Sequence, residues 1–172
     1  MPDKFDYKKE FKDLYMPKSK PVLIDAPAMN FIMLDGKGDP NGEEYENAVS
    51  TLYALTFTIK MSKMSGNQPE GYFEYVVPPL EGLWWCEGSK FSLDIRDNWL
   101  WTSMIRQPEF VTQDVFDWAE DECRRKKPDL DVSLARFEAF TEGLCVQMMH
   151  LGPYADEPHS VEMMHNLWQI MV

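Results

Sequence analysis

Twice along the chain a short apolar run gives way to a turn and then to apolar residues at helical spacing. Phe31-Ile32-Met33-Leu34 leads through Asp35-Gly36 and Asp39-Pro40-Asn41-Gly42 to Tyr45, Val49, Leu52 and Tyr53. Cys145-Val146-Gln147-Met148-Met149-His150 leads through Gly152-Pro153 and Asp156-Glu157-Pro158 to Val161, Met164, Leu167 and Trp168. The first motif is a strand and the second an amphipathic helix, because the apolar positions change from a continuous run to a 3.6-residue period. At one fixed offset Met33 falls on Met148, Asp35 on His150, Leu52 on Leu167 and Tyr53 on Trp168. A repeat of this size predicts two pseudo-symmetric halves sharing a sheet, and a seam between such halves is a common place for a pocket.

The remaining segments fill in around the repeat. Phe5 to Tyr15 has mixed helical spacing and ends at Met16-Pro17, since the residue before proline avoids the α region. Val22 to Asp25 reads as a strand. Asn41 is placed to cap the first long helix, with Glu44 returning a bond to the cap, and the period runs on through Ile59. Tyr72 to Val77 and Leu83 to Cys86 are strand-like, and Pro78-Pro79 between them excludes one continuous central strand. Trp99 to Arg106 is a further strand, with Trp99, Trp101 and Ser103 pointing one way and Leu100, Thr102 and Met104 the other. Thr112 caps a helix carrying Val115, Phe116, Ala119 and Cys123, and the cations Arg124 to Lys127 suit its C-terminal dipole better than they suggest a phosphate patch. Arg136 to Phe140 and Leu144 to His150 are the last strands, and by its own symmetry the chain should continue past Val172 through one more. The expected organisation is a single domain over 1–172. It divides into a helical extension (1–20), a first module (21–109), a linking helix (110–130) and a second module lacking its last strand (131–172).

Charge narrows the partners. Among 172 residues, 17 Lys and Arg stand against 29 Asp and Glu, a formal net charge of −12. Nucleic-acid binding needs cations to replace phosphate counterions, so DNA and RNA are excluded as direct partners. Cys86, Cys123 and Cys145 are odd in number and far apart, which makes neither a disulfide framework nor a C-x-x-C site. No apolar stretch has the length of a signal peptide or a membrane span, so a cytoplasmic protein is expected.

Candidate chemistry lies in the aromatic residues. Tyr72, Tyr75, Trp84, Trp85, Trp99, Trp101 and Tyr154 could sandwich a planar ligand, and indoles attract cations; the same rings also suit a plain core. With two tryptophans in register on each strand, both sheet faces receive one, and helices can cover only one face. Met104 and Met148, on strands, are the methionines best placed to line a cleft. Glu81, beside Gly82 and the tryptophan pair, is the carboxylate to test first as a base or as a partner for a cationic ligand. His150 ends a strand beside the Gly-Pro turn and is expected to fix that turn, with Tyr154 reaching back over the cleft. The spacing of His150, His159 and His165 does not make a zinc site. No nucleophile elbow, phosphate loop or Cys/His dyad is present, so neither metal nor cofactor is expected.

Three segments together resemble the GyrI-like small-molecule-binding family: His150-Leu151-Gly152-Pro153-Tyr154, Leu80-Glu81-Gly82-Leu83-Trp84-Trp85, and Met104 to Thr112. Phe11-Lys12-Asp13-Leu14-Tyr15 is similar to a stand-alone subgroup. The resemblance implies an α+β fold of duplicated β-α-β-β modules (SHS2 modules). Their strands form an antiparallel sheet with helices on one face and an aromatic ligand cleft at the pseudo-two-fold seam. It implies binding of a hydrophobic, planar or cationic drug or antibiotic, with Tyr75, Trp84, Trp85, Trp99, Trp101, Met104, Met148, His150 and Tyr154 as contacts. One branch of the family hydrolyses the cyclopropane of DNA-alkylating antibiotics. On that reading Glu81 is the general base, with Tyr72 or Tyr75 as hydrogen-bond partner. The family's usual carboxylate follows the second helix, so no residue here matches it by motif. An alternative is a protein-interaction role such as modulation of DNA gyrase. No helix-turn-helix is recognisable, which argues against a regulator.

Overall fold

The computed structural model describes residues 3–88 and 92–172. Its elements are α1 (Tyr7–Glu10), α2 (Lys12–Tyr15), β1 (Val22–Ala26), β2 (Met29–Lys37), α3 (Glu43–Lys60), β3 (Leu80–Cys86), β4 (Trp99–Arg106), α4 (Gln113–Lys126), β5 (Arg136–Phe140), β6 (Gly143–Gln147) and α5 (Glu157–Met171). The fold is α+β with antiparallel pairing, and its strands fall into two sheets ordered β3-β4-β2-β5 and β1-β6. The chain packs as two compact units, one built on Met29–Ala139 and the other on Phe5–Ala28 with Phe140–Val172. Each unit holds one copy of the strand-turn-helix motif: β2 into α3 in the first, β6 into α5 in the second.

In the first unit β2, α3, β3 and β4 form a complete β-α-β-β module. Strand register sorts the side chains. Ile32, Leu34 and Gly36 share a face with Ile105, Ser103 and Trp101 of β4, and with Leu80, Gly82 and Trp84 of β3. The helices cover this face. Tyr45 of α3 meets the rings of Trp84 and Trp101 at centroid distances of 5.4 and 5.1 Å, and Phe116 of α4 stacks on Phe137 of β5. Leu52, Leu55 and Ile59 of α3 and Ala119 of α4 are buried, as the helical period requires. Gln107, fully buried just beyond β4, donates to Thr56 Oγ1 and to Ile105 O, both at 3.1 Å, tying the strand end to α3.

Local chemistry moved several boundaries. Asn41 does not cap α3: its backbone and side-chain N–H groups both donate to Asp39 Oδ1 at 2.9 Å, which closes the turn and leaves Gly42 as the extended cap residue. Glu44 likewise turns away from the cap and accepts from Lys37 N at 3.1 Å. Tyr72 to Val77 is not a strand; only Tyr75 makes an isolated bridge. Two consecutive prolines supply no ladder donors, so regular pairing begins at Leu80 after them. The N-terminal helical segment is split at Phe11 into α1 and α2. Thr112 caps α4 through Val115 N at 3.4 Å, and the cations at its end pair within the helix, Arg125 and Lys126 both with Glu122.

In the second unit β1 lies antiparallel to β6, from Val22 opposite Gln147 to Ala26 opposite Gly143. Gly143 opens β6 at φ +73°, a conformation that suits glycine. A short turn at Tyr154–Asp156 then feeds α5, whose first turn contains Pro158, where a missing N–H costs nothing.

Candidate functional site

On the first unit's sheet, the face turned away from α3 and α4 gathers a different set of side chains. Register places Glu81, Leu83 and Trp85 of β3 beside Met104, Thr102 and Leu100 of β4, and these beside Met33, Asp35 and Lys37 of β2. One end of this outer face is closed: Phe31, Met33, Met104 and Arg106 are buried. The other end is open. Trp85 is 43% exposed, with Leu83 and Leu100 half-buried beside it, while Glu81 stands two strand pairs away, opposite buried Met104. An exposed indole flanked by aliphatic side chains is a surface that a flat, hydrophobic molecule can cover.

A polar network borders the patch. Thr102 Oγ1 donates to Asp35 Oδ1 at 2.6 Å, Arg136 donates to the other Asp35 oxygen at 2.9 Å, and Arg136 Nε donates to Glu138 Oε2 at 2.7 Å. The same guanidinium approaches Met33 Sδ at 3.7 Å. Burial pulls the Arg136 pKa down, but the bonds to Glu138 and Asp35 more than reverse it, so the guanidinium stays charged and holds both carboxylates in place. Asp35 remains 59% exposed at its side chain, and Lys37 is the charged residue in line with Trp85 across Leu100. Among the described residues no group of three or more His, Cys, Asp or Glu could hold a metal ion.

The structure divides the residues singled out from sequence. Glu81, Trp85 and Met104 share the outer face. Trp84, Trp99 and Trp101 instead share the helix face, where they pack on one another: Trp84 meets Trp99 at 5.7 Å and Trp101 at 6.4 Å. Trp101 is fully buried and Trp99 nearly so, with its indole N–H donated to Ser92 O at 2.7 Å. Two glycines make room for these rings. A Cβ on Gly36 would stand 2.1 Å from Trp101 Cη2, and one on Gly82 would stand 2.6 Å from Trp84 Nε1. The Gly-Leu-Trp pattern of β3 is therefore a packing signature.

Tyr72 and Tyr75 belong to a separate aromatic cluster with Phe73 and Phe110. The Tyr72 hydroxyl donates to Lys60 O at 2.9 Å, closing the end of α3. Tyr75 has no exposed surface, and its hydroxyl has no hydrogen-bond partner among the described residues. Burial pushes its pKa far above the usual tyrosine value, with the charges of Tyr72 and Glu74 adding to the effect. The Lys60 ammonium lies 4.5 Å over the ring and donates to the Tyr75 carbonyl. Neither hydroxyl is open to a ligand, because one is engaged by backbone and the other enclosed.

The other candidates lie in the second unit. His150 bridges Ser160 Oγ at 2.8 Å and Pro153 O at 3.0 Å, so the ring ties the Gly-Pro turn to the start of α5. Met148, just past β6, is half-buried, and Tyr154 is 81% exposed at the head of its turn. Sequence reasoning missed Asp35, Thr102 and Arg136 as one network, because it is assembled from three strands with long separations. Strand parity alone could have put Asp35 and Thr102 on the Met104 side.

A family model for a GyrI-like small molecule binding domain matches residues 19–169. The chain belongs to that family. Small-molecule binding is thus its general role. A hydrolase from Listeria innocua has the same fold at TM-score 0.92 and 54% identity, covering 98% of this chain and 82% of its own. An uncharacterized conserved protein from Listeria innocua matches at TM-score 0.92 and 56% identity, over 97% of this chain and 81% of that one. A further hydrolase from Listeria innocua matches at TM-score 0.89 and 53% identity, over 97% and 81%. No curated protein matches. Among the described residues no helix is long and apolar enough to cross a membrane.

Proposed function

We propose that the open end of the outer sheet face binds a flat, hydrophobic small molecule, with Trp85 as the stacking platform. The observation that carries the reading is the sorting of indoles. Trp84, Trp99 and Trp101 are committed to the helix side, whereas Trp85 is 43% exposed beside Leu83 and Leu100, with Glu81 further along the same face. Glu81 lies further along the same face, so a cationic planar drug or antibiotic long enough to span from Trp85 to Glu81 suits it better than an anionic one. Titration of tryptophan fluorescence with planar cationic dyes and antibiotics tests this. The expected result is saturable quenching that Trp85→Ala abolishes and that Glu81→Gln weakens for cations more than for neutral analogues. Quenching that survives Trp85→Ala unchanged would overturn the assignment.

A hydrolytic role is the second reading, supported by the two structural neighbours described as hydrolases at 54% and 53% identity. In this scheme the ligand is a cyclopropane-containing alkylator held flat on Trp85. Glu81 takes a proton from water, the water oxygen bonds to a ring carbon, and the strained carbon–carbon bond breaks. Its electron pair passes to the conjugated carbonyl, which is protonated. Proximity supplies much of such an acceleration, since the bound ring presents its electrophilic carbon to one positioned water. Mass spectrometry after incubation should show a gain of one water, slowed at least 100-fold by Glu81→Gln, in line with the usual contribution of a general base. An unchanged rate in that variant would remove Glu81 from the chemistry.

A further inference from the structure

A helix side that faces water is normally polar, yet the α3 side bordering α4 carries Tyr53, Phe57 and Met61 at successive four-residue steps. Phe57 and Met61 are 45% and 43% exposed. The rings of Tyr53 and Phe57 lie 6.2 Å apart and near-parallel at 28°. From the facing helix Trp118 completes the wall, and Lys126 and Lys127 stand at the end of the groove. The groove is open to solvent, has a volume of about 580 Å³ and lies within the first unit. It is on the helix side, so it is separate from the outer sheet face.

Three observations identify what would fill it. The volume is that of a small-molecule site, which runs from roughly 300 to 1,000 Å³. The walls are aromatic, which favours a flat π-system stacked on its faces. The charge is local and positive in a protein whose net charge is −12. Lys126 is held by Glu122 at 3.1 Å, whereas Lys127 has no ion-pair partner among the described residues. An ammonium on a flexible stem accepts an anion as a point charge without demanding bidentate geometry.

We propose that the α3–α4 groove is a second ligand site, selective for a flat aromatic anion such as an aryl carboxylate. The rings lie against Phe57 and Trp118, and the carboxylate turns toward Lys127. This site opposes the outer sheet face in charge preference, so one protein carries a cation-preferring and an anion-preferring surface on opposite sides of one unit.

The test is calorimetric titration of the full chain with 2-naphthoate and, as a shape-matched cation, 2-naphthylmethylammonium. Naphthoate should bind saturably at one site and more tightly than the cation. Phe57→Ala should weaken it at least 10-fold, and Trp118→Phe should remove the accompanying fluorescence change. Lys127→Glu, a surface substitution that leaves packing alone, should cancel the preference for the anion, a change of about 3- to 5-fold for an exposed charge pair. Raising salt should narrow the same difference. Trp85→Ala should leave naphthoate binding unchanged, which separates this site from the sheet face. Absence of saturable naphthoate binding, equal affinity for the cation, or loss through Trp85→Ala instead of Phe57→Ala would overturn the proposal.

Discussion

Gly36→Ala is a one-carbon change that tests how the tryptophans are sorted. Gly36 lies in β2 directly opposite Trp101 of β4, and its φ is not positive, so alanine suits the backbone. On backbone grounds alone the substitution should stabilise by about 0.4–1 kcal/mol, because the unfolded chain loses freedom. The side chain reverses the sign. A Cβ here would stand 2.1, 2.2 and 2.7 Å from Cη2, Cζ2 and Cζ3 of Trp101, where an ordinary contact is near 3.4 Å or more. The indole must move by more than an ångström, yet it is fully buried, with Tyr45 at 5.1 Å and Trp84 at 6.4 Å. Overpacking of this kind costs about 1–3 kcal/mol, so the net loss should be roughly 1–2 kcal/mol. Urea unfolding followed by circular dichroism measures it directly. Trp101→Leu removes the obstructing ring, so adding Gly36→Ala to that variant should cost nothing further, giving a coupling of about 1–2 kcal/mol between the two positions. If Gly36→Ala is as stable as the parent, or if its effect persists in the Trp101→Leu background, the packing argument fails.

Trp85→Ala should change stability by under about 1 kcal/mol, since much of the ring already faces water, while abolishing ligand quenching; Trp101→Ala should instead lose about 3–5 kcal/mol, and paired urea melts separate the two. Tyr75→Phe removes a buried hydroxyl that has no partner, so at pH 7 it should be neutral or stabilising by up to about 1 kcal/mol. Its pH profile follows from sign: the folded pKa of Tyr75 lies above the unfolded value of 10.0, so its contribution is intact below pH 10 and declines as pH rises past it. Urea midpoints should therefore fall less between pH 9 and 11 in Tyr75→Phe than in the parent, and identical declines would refute the assignment. Thr112→Ala deletes the acceptor for Val115 N and should cost about 1 kcal/mol by the same assay; an unchanged midpoint would show that the cap contributes nothing.

Strand parity was legible in the sequence, and it carried the first cut of the site. Trp99, Trp101 and Ser103 do share one face, with Leu100, Thr102 and Met104 on the other, because side chains alternate along any strand. Parity says nothing about which face the helices cover. That depends on where α3 lands, and its Tyr45 lands on Trp84 and Trp101. With α3 on that face, Trp84, Trp99 and Trp101 become the helix side, and Trp85 and Met104 the outer one. Tyr72 and Tyr75 were misplaced for a different reason. The proline pair breaks the ladder, so Tyr72 to Val77 does not extend the strand that carries Trp85, and neither tyrosine joins its face.

The chain by itself determined the repeated strand-turn-helix unit, the α+β class and the family, since these rest on periodicity and on contiguous motifs. Only the tertiary structure decided which indoles are core and which is open, and only it joined Asp35, Thr102 and Arg136. Burial and long-range hydrogen bonds are set by which surfaces meet across separations of up to 134 residues, and no local pattern encodes that choice.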